Sequence, residues 1–427
     1  MTEGKVVVAV DIGSSKVVTI IARADETINV VGVSEVRSIG IKKGQIVDIE
    51  EAVACINSSI EAAERMAGFS VSHVVASIGG SHIESQNSKG VVAVSNPEGE
   101  ISAGDLTRVI DAARAISLPS SREIIHVLPR TYTVDGQEGI KDPIGMTGVR
   151  LEVETHIITA GSTSLRNMEK AFSEVGVDVD AIIFGGYASS LSSLSETERE
   201  LGVVLVDIGA GTTEISIYVE GSVAYSSVLS IGARHITNDL AIGLRISLES
   251  AEKVKLHLSN PKKSKITEDT LGGREEKTDE MDLSDLGLPE QISKVSQKTL
   301  IDGIIRPRLN EIFTMVGLEI KKSGYGGQTP SGLVVTGGGA RTIGVVDCAK
   351  RMLAMPVRIG APQNLKGIID EIQDTPFATV VGLAVYGGTI ESSGSSLPFG
   401  VKMPNMSGVN MSGFPKKVID VIKSFIP

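Results

Sequence analysis

The sequence predicts an α/β protein made of two similar halves that face each other across a ligand-binding cleft. A strand, a tight turn containing Asp-Ile-Gly and a second strand are predicted at Val6–Ala22, and the same pattern returns at Val203–Val219. A third glycine-rich turn, at Leu333–Arg341, follows another run of β-forming residues. The chain has 427 residues, which is long for one hydrophobic core, so two or more domains are expected.

Each Asp-Ile-Gly turn has the chemistry of a phosphate-binding loop. Its glycine lets the backbone approach an anion, and the amides and hydroxyls that follow can donate to phosphate oxygens. Asp11 and Asp207 add one carboxylate each. One such turn alone would more often be a plain hairpin, but its repetition in both halves favours a shared ligand. The candidate phosphate-binding residues are Gly13, Ser14, Ser15, Lys16, Gly209, Gly211, Thr212 and Thr213.

Composition restricts the class of protein. Hydrophobic residues make up 41% of the chain and glycines number 47, which indicates a globular protein rich in turns. The formal net charge is -11 and no basic cluster is interleaved with aromatic residues, so no nucleic-acid partner is expected. Cys55 and Cys348 lack CxxC spacing and favour a reducing compartment without a zinc site or a disulfide framework. Without a signal peptide or an apolar run of about 20 residues, we expect a cytoplasmic protein, soluble or peripheral to a membrane.

The first half is predicted to alternate strands and helices around one inserted unit. Apolar residues recur at helical spacing from Glu50 to Gly68, and Gly68 is a suitable helix C-cap. The predicted strands and helix within Ser85–Val153 indicate a small inserted α+β unit. His156 has no second histidine nearby, so a hydrogen-bonded or surface histidine is favoured over a metal ligand. The other predicted elements are strands at Thr27–Glu35, Val74–Ile78, Gly90–Val94, Arg122–Val134 and Glu152–Ala160, and helices at Asp105–Ile116 and Ser164–Val175.

The second half is predicted to be mainly helical after its hairpin. Glu252 and Lys255 lie one turn apart on a predicted helix, where such a pair is usually a solvated ion pair. The charge-dense segment Pro261–Leu288 predicts a surface excursion or an edge hairpin. Pro307 predicts a kink in the helix Leu300–Lys321. The other predicted elements are helices at Gly232–Leu244, Ser247–Leu258, Gly344–Leu353 and Phe377–Tyr386, and a strand at Pro356–Ile359.

The C-terminal tail predicts a membrane anchor on a tether. Residues Gly394–Gly413 are rich in Gly, Ser, Pro and Asn and predict a flexible linker, and Phe414–Pro427 predicts an amphipathic helix. A lysine-rich helix of this kind suits an anionic lipid surface, although periodicity equally allows a helix docked on the protein or on a partner. One such helix binds weakly, so stable attachment requires several anchors in an assembly. The candidate membrane-binding residues are Phe414, Lys416, Lys417, Val418, Val421, Ile422, Lys423 and Phe425.

These features together resemble the actin, Hsp70 and sugar-kinase superfamily. The two phosphate hairpins would be Asp11–Lys16 and Asp207–Thr213, the adenosine motif Thr336–Arg341, and the connecting helices Tyr187–Leu194 and Pro376–Ala384. The resemblance implies an actin-like ATPase fold with ATP and Mg²⁺ in the cleft, and the two hairpin aspartates near the metal, largely through water. The residues it implies for the ribose and adenosine are Glu252, Lys255, Gly337, Gly338, Gly339 and Arg341.

Within that superfamily the chain closely resembles the FtsA family of bacterial cell-division proteins over nearly its full length. The telling stretches are Gly40–Glu50 (GIKKGQIVDIE), Asp135–Thr159, Tyr187–Thr213 and the C-terminal helix. The resemblance implies a peripheral protein on the cytoplasmic side of the cell membrane at the division site. It would form filaments with itself on anionic lipid, bind the C-terminal peptide of the tubulin-like protein FtsZ and recruit later division proteins.

The subdomains of that family would divide the chain in a discontinuous way. Subdomain 1A would comprise residues 1–84, 154–200 and 372–393, with the insert, similar to subdomain 1C, at 85–153. Subdomain 2A would comprise 201–238 and 330–371, and subdomain 2B 239–329. The flexible linker would follow at 394–413 and the membrane-targeting helix at 414–427.

ATP hydrolysis is expected to be slow or absent. Active ATPases of the superfamily place an acidic or amide side chain just before the first connecting helix, whereas this chain has Phe184-Gly185-Gly186-Tyr187 there. A sugar kinase would need a catalytic base and a sugar pocket, and an Hsp70 a substrate-binding domain after its linker; the sequence marks out neither. The remaining alternative is a related actin-like adaptor of a pilus or secretion machine.

Overall fold

A six-stranded mixed sheet forms the base of the first half. The computed structural model describes residues 4–25, 27–259, 279–290, 294–368 and 372–390. The first elements are β1 (Lys5–Ile12), β2 (Lys16–Ala24), β3 (Ile28–Arg37), β4 (Ile41–Lys42), β5 (Gln45–Ile46), α1 (Ile49–Ala67) and β6 (His73–Ile78). Helix α1 begins where the Asp48 side chain accepts from the Glu51 amide, and it ends at Gly68, whose φ of +80° confirms the predicted C-cap.

The predicted α+β insert is present as a separate four-stranded antiparallel sheet covered by one helix. Its elements are β7 (Glu84–Ala93), α2 (Ala103–Arg114), β8 (Arg122–Val134), β9 (Gln137–Ile140) and β10 (Arg150–Gly161), with the strand order β7-β10-β8-β9. Leu106, Val109 and Ile110 of α2 are buried against this sheet. The last strand is continuous with the first half, since it leads directly into α3 (Ser162–Val175), β11 (Asp178–Phe184), α4 (Gly185–Ser193) and α5 (Glu196–Leu201).

The second half repeats the arrangement of strands seen in the first. Its elements are β12 (Val203–Ile208), β13 (Thr213–Val219), β14 (Ser222–Leu229), α6 (Ala233–Leu244), α7 (Leu248–Leu258), β15 (Glu280–Asp282), β16 (Lys294–Ser296), α8 (Gln297–Leu300), α9 (Arg306–Ser323), β17 (Leu333–Thr336), α10 (Val345–Leu353) and β18 (Val357–Ile359). The chain then returns to the first sheet through β19 (Leu365–Gly367) and α11 (Ala378–Thr389).

Five strands of each large sheet have the same topology, which confirms the predicted internal repeat, and the first sheet has β19 as an additional strand beside β3. In the first, β1, β2 and β3 form an antiparallel meander, and β6 and β11 continue the sheet in parallel beyond β1. In the second, β12, β13 and β14 form the meander, and β17 and β18 continue in parallel beyond β12. The two hairpins are therefore equivalent positions of two related sheets.

Helices α4 and α11 cross between the halves in backbone contact. A Cβ built on Gly382 of α11 would lie 1.7 Å from the Ala188 carbonyl oxygen of α4, so only glycine fits at this crossing. The Ser192 hydroxyl donates to the Ala378 carbonyl at 2.7 Å. These are the two predicted connecting helices, and their close approach places α4 and α11 at the base of both hairpins.

The insert also touches the second half along one strand. The Ser85 hydroxyl donates to the Ser226 carbonyl at 2.6 Å, and the Asn87 amide donates to the Ala224 carbonyl at 3.2 Å. His156 is buried at this contact, with Nδ1 2.7 Å from the Asn87 Oδ1 and Nε2 3.0 Å from the Ser226 hydroxyl. The prediction of a hydrogen-bonded histidine is confirmed.

Three predictions about the second half and the tail have different outcomes. The helix predicted at Leu300–Lys321 contains a π-helical turn at Ile301–Ile305 before α9, immediately ahead of Pro307. Residues 279–288 of the charged segment include β15, which pairs with β16, and residues 261–278 lie outside the described chain. The predicted linker and amphipathic helix at 394–427 also lie outside it. Among the helices that the structure describes, none is long and apolar enough to cross a membrane.

Two buried histidines predict a loss of stability in acid. Burial lowers the pKa values of His126 and His156 to about 3, and the Phe184 amide donates to the His126 Nε2 at 3.0 Å. A histidine in the unfolded chain has a pKa near 6.5, so as the pH falls below that value the unfolded chain binds protons and the folded chain does not. The unfolded state is thereby favoured, and stability falls. We expect each histidine to remove about 1–2 kcal/mol of stability between pH 7 and pH 5.

Urea unfolding at several pH values would measure this loss in the wild type and in His156→Asn. The variant should depend less steeply on pH, and its folding at pH 7.5 serves as the control. Equal pH dependence of the two proteins would contradict the expected role of His156.

Candidate functional site

The two Asp-Ile-Gly turns have the same geometry. The Gly13 amide donates to the Lys16 carbonyl at 3.0 Å, and the Gly209 amide donates to the Thr212 carbonyl at 2.9 Å. A Cβ on Gly13 would lie 2.8 Å from that Lys16 oxygen, so the first turn needs glycine to close. Each turn thus presents backbone amides at the end of the first strand of its sheet.

The third glycine stretch packs on the end of the second hairpin. Gly337 has a φ of +82°, and a Cβ on it would lie 2.1 Å from the Asp207 Oδ1. A Cβ on Gly339 would lie 2.3 Å from the Ile208 side chain. Gly338, by contrast, is exposed and a Cβ on it would meet nothing within 4 Å. The sequence-predicted phosphate and adenosine turns are therefore adjacent, and the third turn leaves an open backbone surface.

Two carboxyl groups occupy the space between the hairpins. Asp11 accepts from the Ser77 hydroxyl at 2.6 Å, and Asp207 accepts from the Thr379 hydroxyl at 3.0 Å. Burial and then the nearby Asp11 raise the pKa of Asp207 to about 6, and burial likewise raises the pKa of Asp11. In the described part of the chain, no three His, Cys, Asp or Glu side chains are arranged to hold a metal directly. Two carboxyl groups with raised pKa values and without a full ligand set fit a hydrated divalent cation better than a directly ligated one.

The hairpins approach each other directly across the cleft. The Arg234 guanidinium, at the start of α6, donates to the Ser14 carbonyl at 3.0 Å. The Ser14 hydroxyl accepts from the Gly44 amide at 2.9 Å and would lie 3.0 Å from a Cβ on Gly211. Ser14 of the first hairpin is thus in contact with α6 and with Gly211 of the second.

Other predicted phosphate ligands have partners within the protein. The Lys16 ammonium lies 2.6 Å from a Glu35 carboxylate oxygen and 4.0 Å from the centre of the Phe377 ring. The Thr213 hydroxyl donates to the Ile231 carbonyl at 2.8 Å. Ser15 is exposed and Thr212 is buried. The backbone of both turns, more than these side chains, is available to an anion.

Glu252 and Lys255 form an ion pair that is only half solvated. Their charged atoms are 2.7 Å apart, with side-chain exposures of 44% for the glutamate and 9% for the lysine. The Lys255 ammonium also donates to the Thr237 hydroxyl at 2.9 Å, which fixes α7 against α6. Arg341 has a different partner, with its Nε 3.0 Å from the Asp374 Oδ2 just before α11.

Sequence reasoning missed Glu214, which follows Thr213 on β13. A Cβ on Gly185 would lie 2.6 Å from one of its carboxyl oxygens, and a Cβ on Gly79 would lie 2.2 Å from the other. Burial, together with Asp207 and Asp11, raises the pKa of Glu214 well above its usual value. An acidic group therefore does stand beside the first connecting helix, although it comes from another strand. The signal in the sequence was the pair of glycines after each of two neighbouring strands of the first sheet, Gly79-Gly80 after β6 and Gly185-Gly186 after β11.

Comparison with known protein families assigns the chain to one of them. The family described as "SHS2 domain inserted in FTSA" matches residues 80–159, and the family "Cell division protein FtsA" matches residues 204–382. Cell division protein FtsA of Pseudomonas aeruginosa is 38% identical over 396 residues, covering 92% of each chain. The chain belongs to the FtsA family. Cell division protein FtsA of Escherichia coli K12 is 34% identical over 395 residues, and the match covers 90% of this chain and 91% of that protein. The role of this FtsA-family chain therefore lies in cell division.

Solved structures agree on the fold of this FtsA-family chain. The protein in the PilM-PilN type IV pilus biogenesis complex has a TM-score of 0.62 at 15% identity, covering 90% of this chain and 98% of its own. MreB5 of Spiroplasma citri, solved with ADP, has a TM-score of 0.51 at 14% identity, and the match covers 90% of this chain and 96% of the MreB5 chain. These likenesses confirm the actin-like fold and carry no more than that. The pilus-adaptor alternative is not favoured, because sequence identity places the chain among division proteins.

Proposed function

We propose that the chain binds ATP with Mg²⁺ in the cleft and, in that state, forms membrane-bound filaments that tether FtsZ to the cytoplasmic membrane. The observation that carries this proposal is the pair of equivalent Asp-Ile-Gly turns, which face each other with the third glycine turn against Asp207. Membership of the FtsA family supports the division role.

The nucleotide would bind mainly through backbone groups. Amides of the two turns would hold the phosphates, together with the neighbouring hydroxyls. Asp11 and Asp207 would hold Mg²⁺, largely through water, and the metal would neutralise charge on the phosphates. The exposed backbone at Gly338 would accept the adenosine. The Glu252–Lys255 pair would contact the ribose or base through the half-exposed glutamate.

Nucleotide binding would stabilise the closed arrangement of the two halves. Ser14 contacts Arg234 and lies against Gly211, so a ligand between the hairpins would add contacts to both halves at once. A ligand that binds one arrangement better shifts the population toward it. We infer that the closed form is the one that polymerises, and that hydrolysis is slow.

The division role would depend on the C-terminal helix and on partners. The helix at 414–427 would bind anionic lipid, and the filament would multiply this weak attachment. The FtsZ peptide would dock on the smaller subdomain of the second half, and later division proteins would be recruited to the same filament at the division site.

Liposome co-sedimentation tests the tether. Full-length protein with Mg²⁺ and ATP should pellet with vesicles containing anionic lipid, whereas a chain that ends at Gly413 should remain in the supernatant. Neutral vesicles and the omission of ATP serve as controls, because each removes one contribution to binding. Equal pelleting of the two proteins would contradict the membrane anchor. In a separate assay, the full-length protein should carry purified FtsZ into the pellet.

A further inference from the structure

A small hairpin of the first half reaches into the nucleotide cleft and carries a lysine at its tip. Strands β4 and β5 are joined by Lys43 and Gly44, whose φ angles are +49° and +74°. This turn requires left-handed backbone at both central residues. Asn, Asp and Gly adopt that conformation readily, whereas a lysine does so at an energetic cost. Lys43 therefore occupies a backbone conformation that is unfavourable for lysine.

The tip lies where three loops meet. The Gly44 amide donates to the Ser14 hydroxyl of the first hairpin at 2.9 Å. The nitrogen and Cα of Lys43 would both lie 3.2 Å from a Cβ on Gly211 of the second hairpin. A Cβ on Gly44 would lie 2.8 Å from the Gly80 nitrogen, in the loop after β6. A bulkier residue at Gly44 would overlap the backbone of Gly79 and Gly80, and one at Gly211 would press on Ser14 and Lys43.

Three carboxyl groups lie in this cleft, and the two neighbouring cations already have partners, since Arg234 donates to the Ser14 carbonyl and Lys16 is paired with Glu35. Burial raises the pKa values of all three carboxyl groups; Asp11 adds to the rise at Asp207, and Asp207 and Asp11 both add to the rise at Glu214. Lys43 is exposed, and among the residues that the structure describes its ammonium has no hydrogen bond or ion pair. Its Cα stands beside the Gly211 turn, so its four-carbon stem starts next to the second phosphate turn.

We propose that Lys43 binds the terminal phosphate of the nucleotide and so makes the cleft distinguish a nucleoside triphosphate from a diphosphate. The inference rests on the proposed nucleotide site. A lysine ammonium is a compact point charge that suits a phosphate whose orientation is set by backbone amides. Because the tip contacts Ser14 and Gly211, occupation by the terminal phosphate draws the β4–β5 hairpin and both phosphate turns together.

Lys43→Asn separates this role from folding. Asparagine favours the left-handed backbone, so the variant should be at least as stable as the wild type in urea unfolding. Binding is measured by calorimetry on the full chain with Mg²⁺ and either a non-hydrolysable ATP analogue or ADP. We expect affinity for the ATP analogue to fall about 10- to 100-fold, with affinity for ADP changed less than about threefold.

Lys42→Asn is the matched control, because Lys42 is also exposed but lies on β4, outside the turn. It should bind both nucleotides as the wild type does, and Lys43→Arg should recover part of the preference for the ATP analogue. Equal losses for both nucleotides in Lys43→Asn, or no loss for either, would overturn the assignment of Lys43. Absence of binding by the wild type itself would overturn the proposed nucleotide site and, with it, this inference.

Discussion

Replacing Asp207 by alanine is expected to weaken Mg²⁺-dependent ATP binding by about 30- to 150-fold, which corresponds to the loss of about 2–3 kcal/mol of charge-assisted interaction. Asp207 is buried, accepts from Thr379 on α11, and stands against Gly337 of the third glycine turn. Asp207 thus belongs to the second hairpin and contacts both the third glycine turn and a connecting helix. Fluorescent ATP titrated with and without Mg²⁺ would measure the change.

A second variant keeps the shape of the site. Asp207→Asn retains an acceptor for Thr379 and removes only the charge, so it should lose the Mg²⁺ dependence with little change in stability. Asp180→Ala removes a surface carboxylate 3.0 Å from His73 and serves as the control. If both Asp207 variants, like the Asp180→Ala control, bind ATP with Mg²⁺ within about threefold of the wild-type affinity, the two-hairpin cleft is not the nucleotide site.

Replacing Gly382 by alanine is expected to destabilise the whole protein by about 3 kcal/mol or more, since its methyl group would overlap backbone and not a movable side chain. The built Cβ lies 1.7 Å from the Ala188 oxygen and 2.4 Å from the Ala188 carbonyl carbon. To accept it, α4 and α11 must separate, and α11 carries Thr379 away from Asp207. Nucleotide affinity should therefore fall together with stability.

Gly104→Ala provides the comparison, because Gly104 is also helical and a Cβ there would have its nearest neighbour at 3.6 Å. Its stability should be unchanged or higher, as alanine is the better helix former. Urea unfolding of both variants measures the difference. Similar unfolding midpoints for the two would show that the helix crossing relaxes more easily than its backbone contact implies.

Local chemistry made much of the fold predictable. The two hairpins follow from β-forming runs around Asp-Ile-Gly, and the end of α1 follows from Gly68, since both depend on residues adjacent in sequence. The repeat then predicted two equivalent sheets, because a hairpin cannot bury its own face. The glycine turns of the site were predictable for the same reason.

Contacts between distant segments were not predictable in this way. Glu214 enters the cleft because Gly79 and Gly185, far away in the sequence, leave room for its carboxyl group. Lys255 is buried where Thr237 on another helix accepts a hydrogen bond from its ammonium, whereas the i,i+3 spacing alone indicates a solvated pair. The π turn before α9 likewise has no local signal beyond Pro307. Each of these depends on how elements pack.

The contact between the insert and the second half also protects the protein from unwanted association. Strand β7 and strand β14 are each the outermost strand of their sheet, and such edges readily pair with strands of other molecules. Here Ser85 occupies the backbone groups of Ser226, and Asn87 occupies the Ala224 carbonyl, so the two edges cover each other. Rotation of the insert would expose both edges at once. Docking of the insert therefore removes two exposed sheet edges, and a copy of the chain with its insert undocked would be prone to β-aggregation.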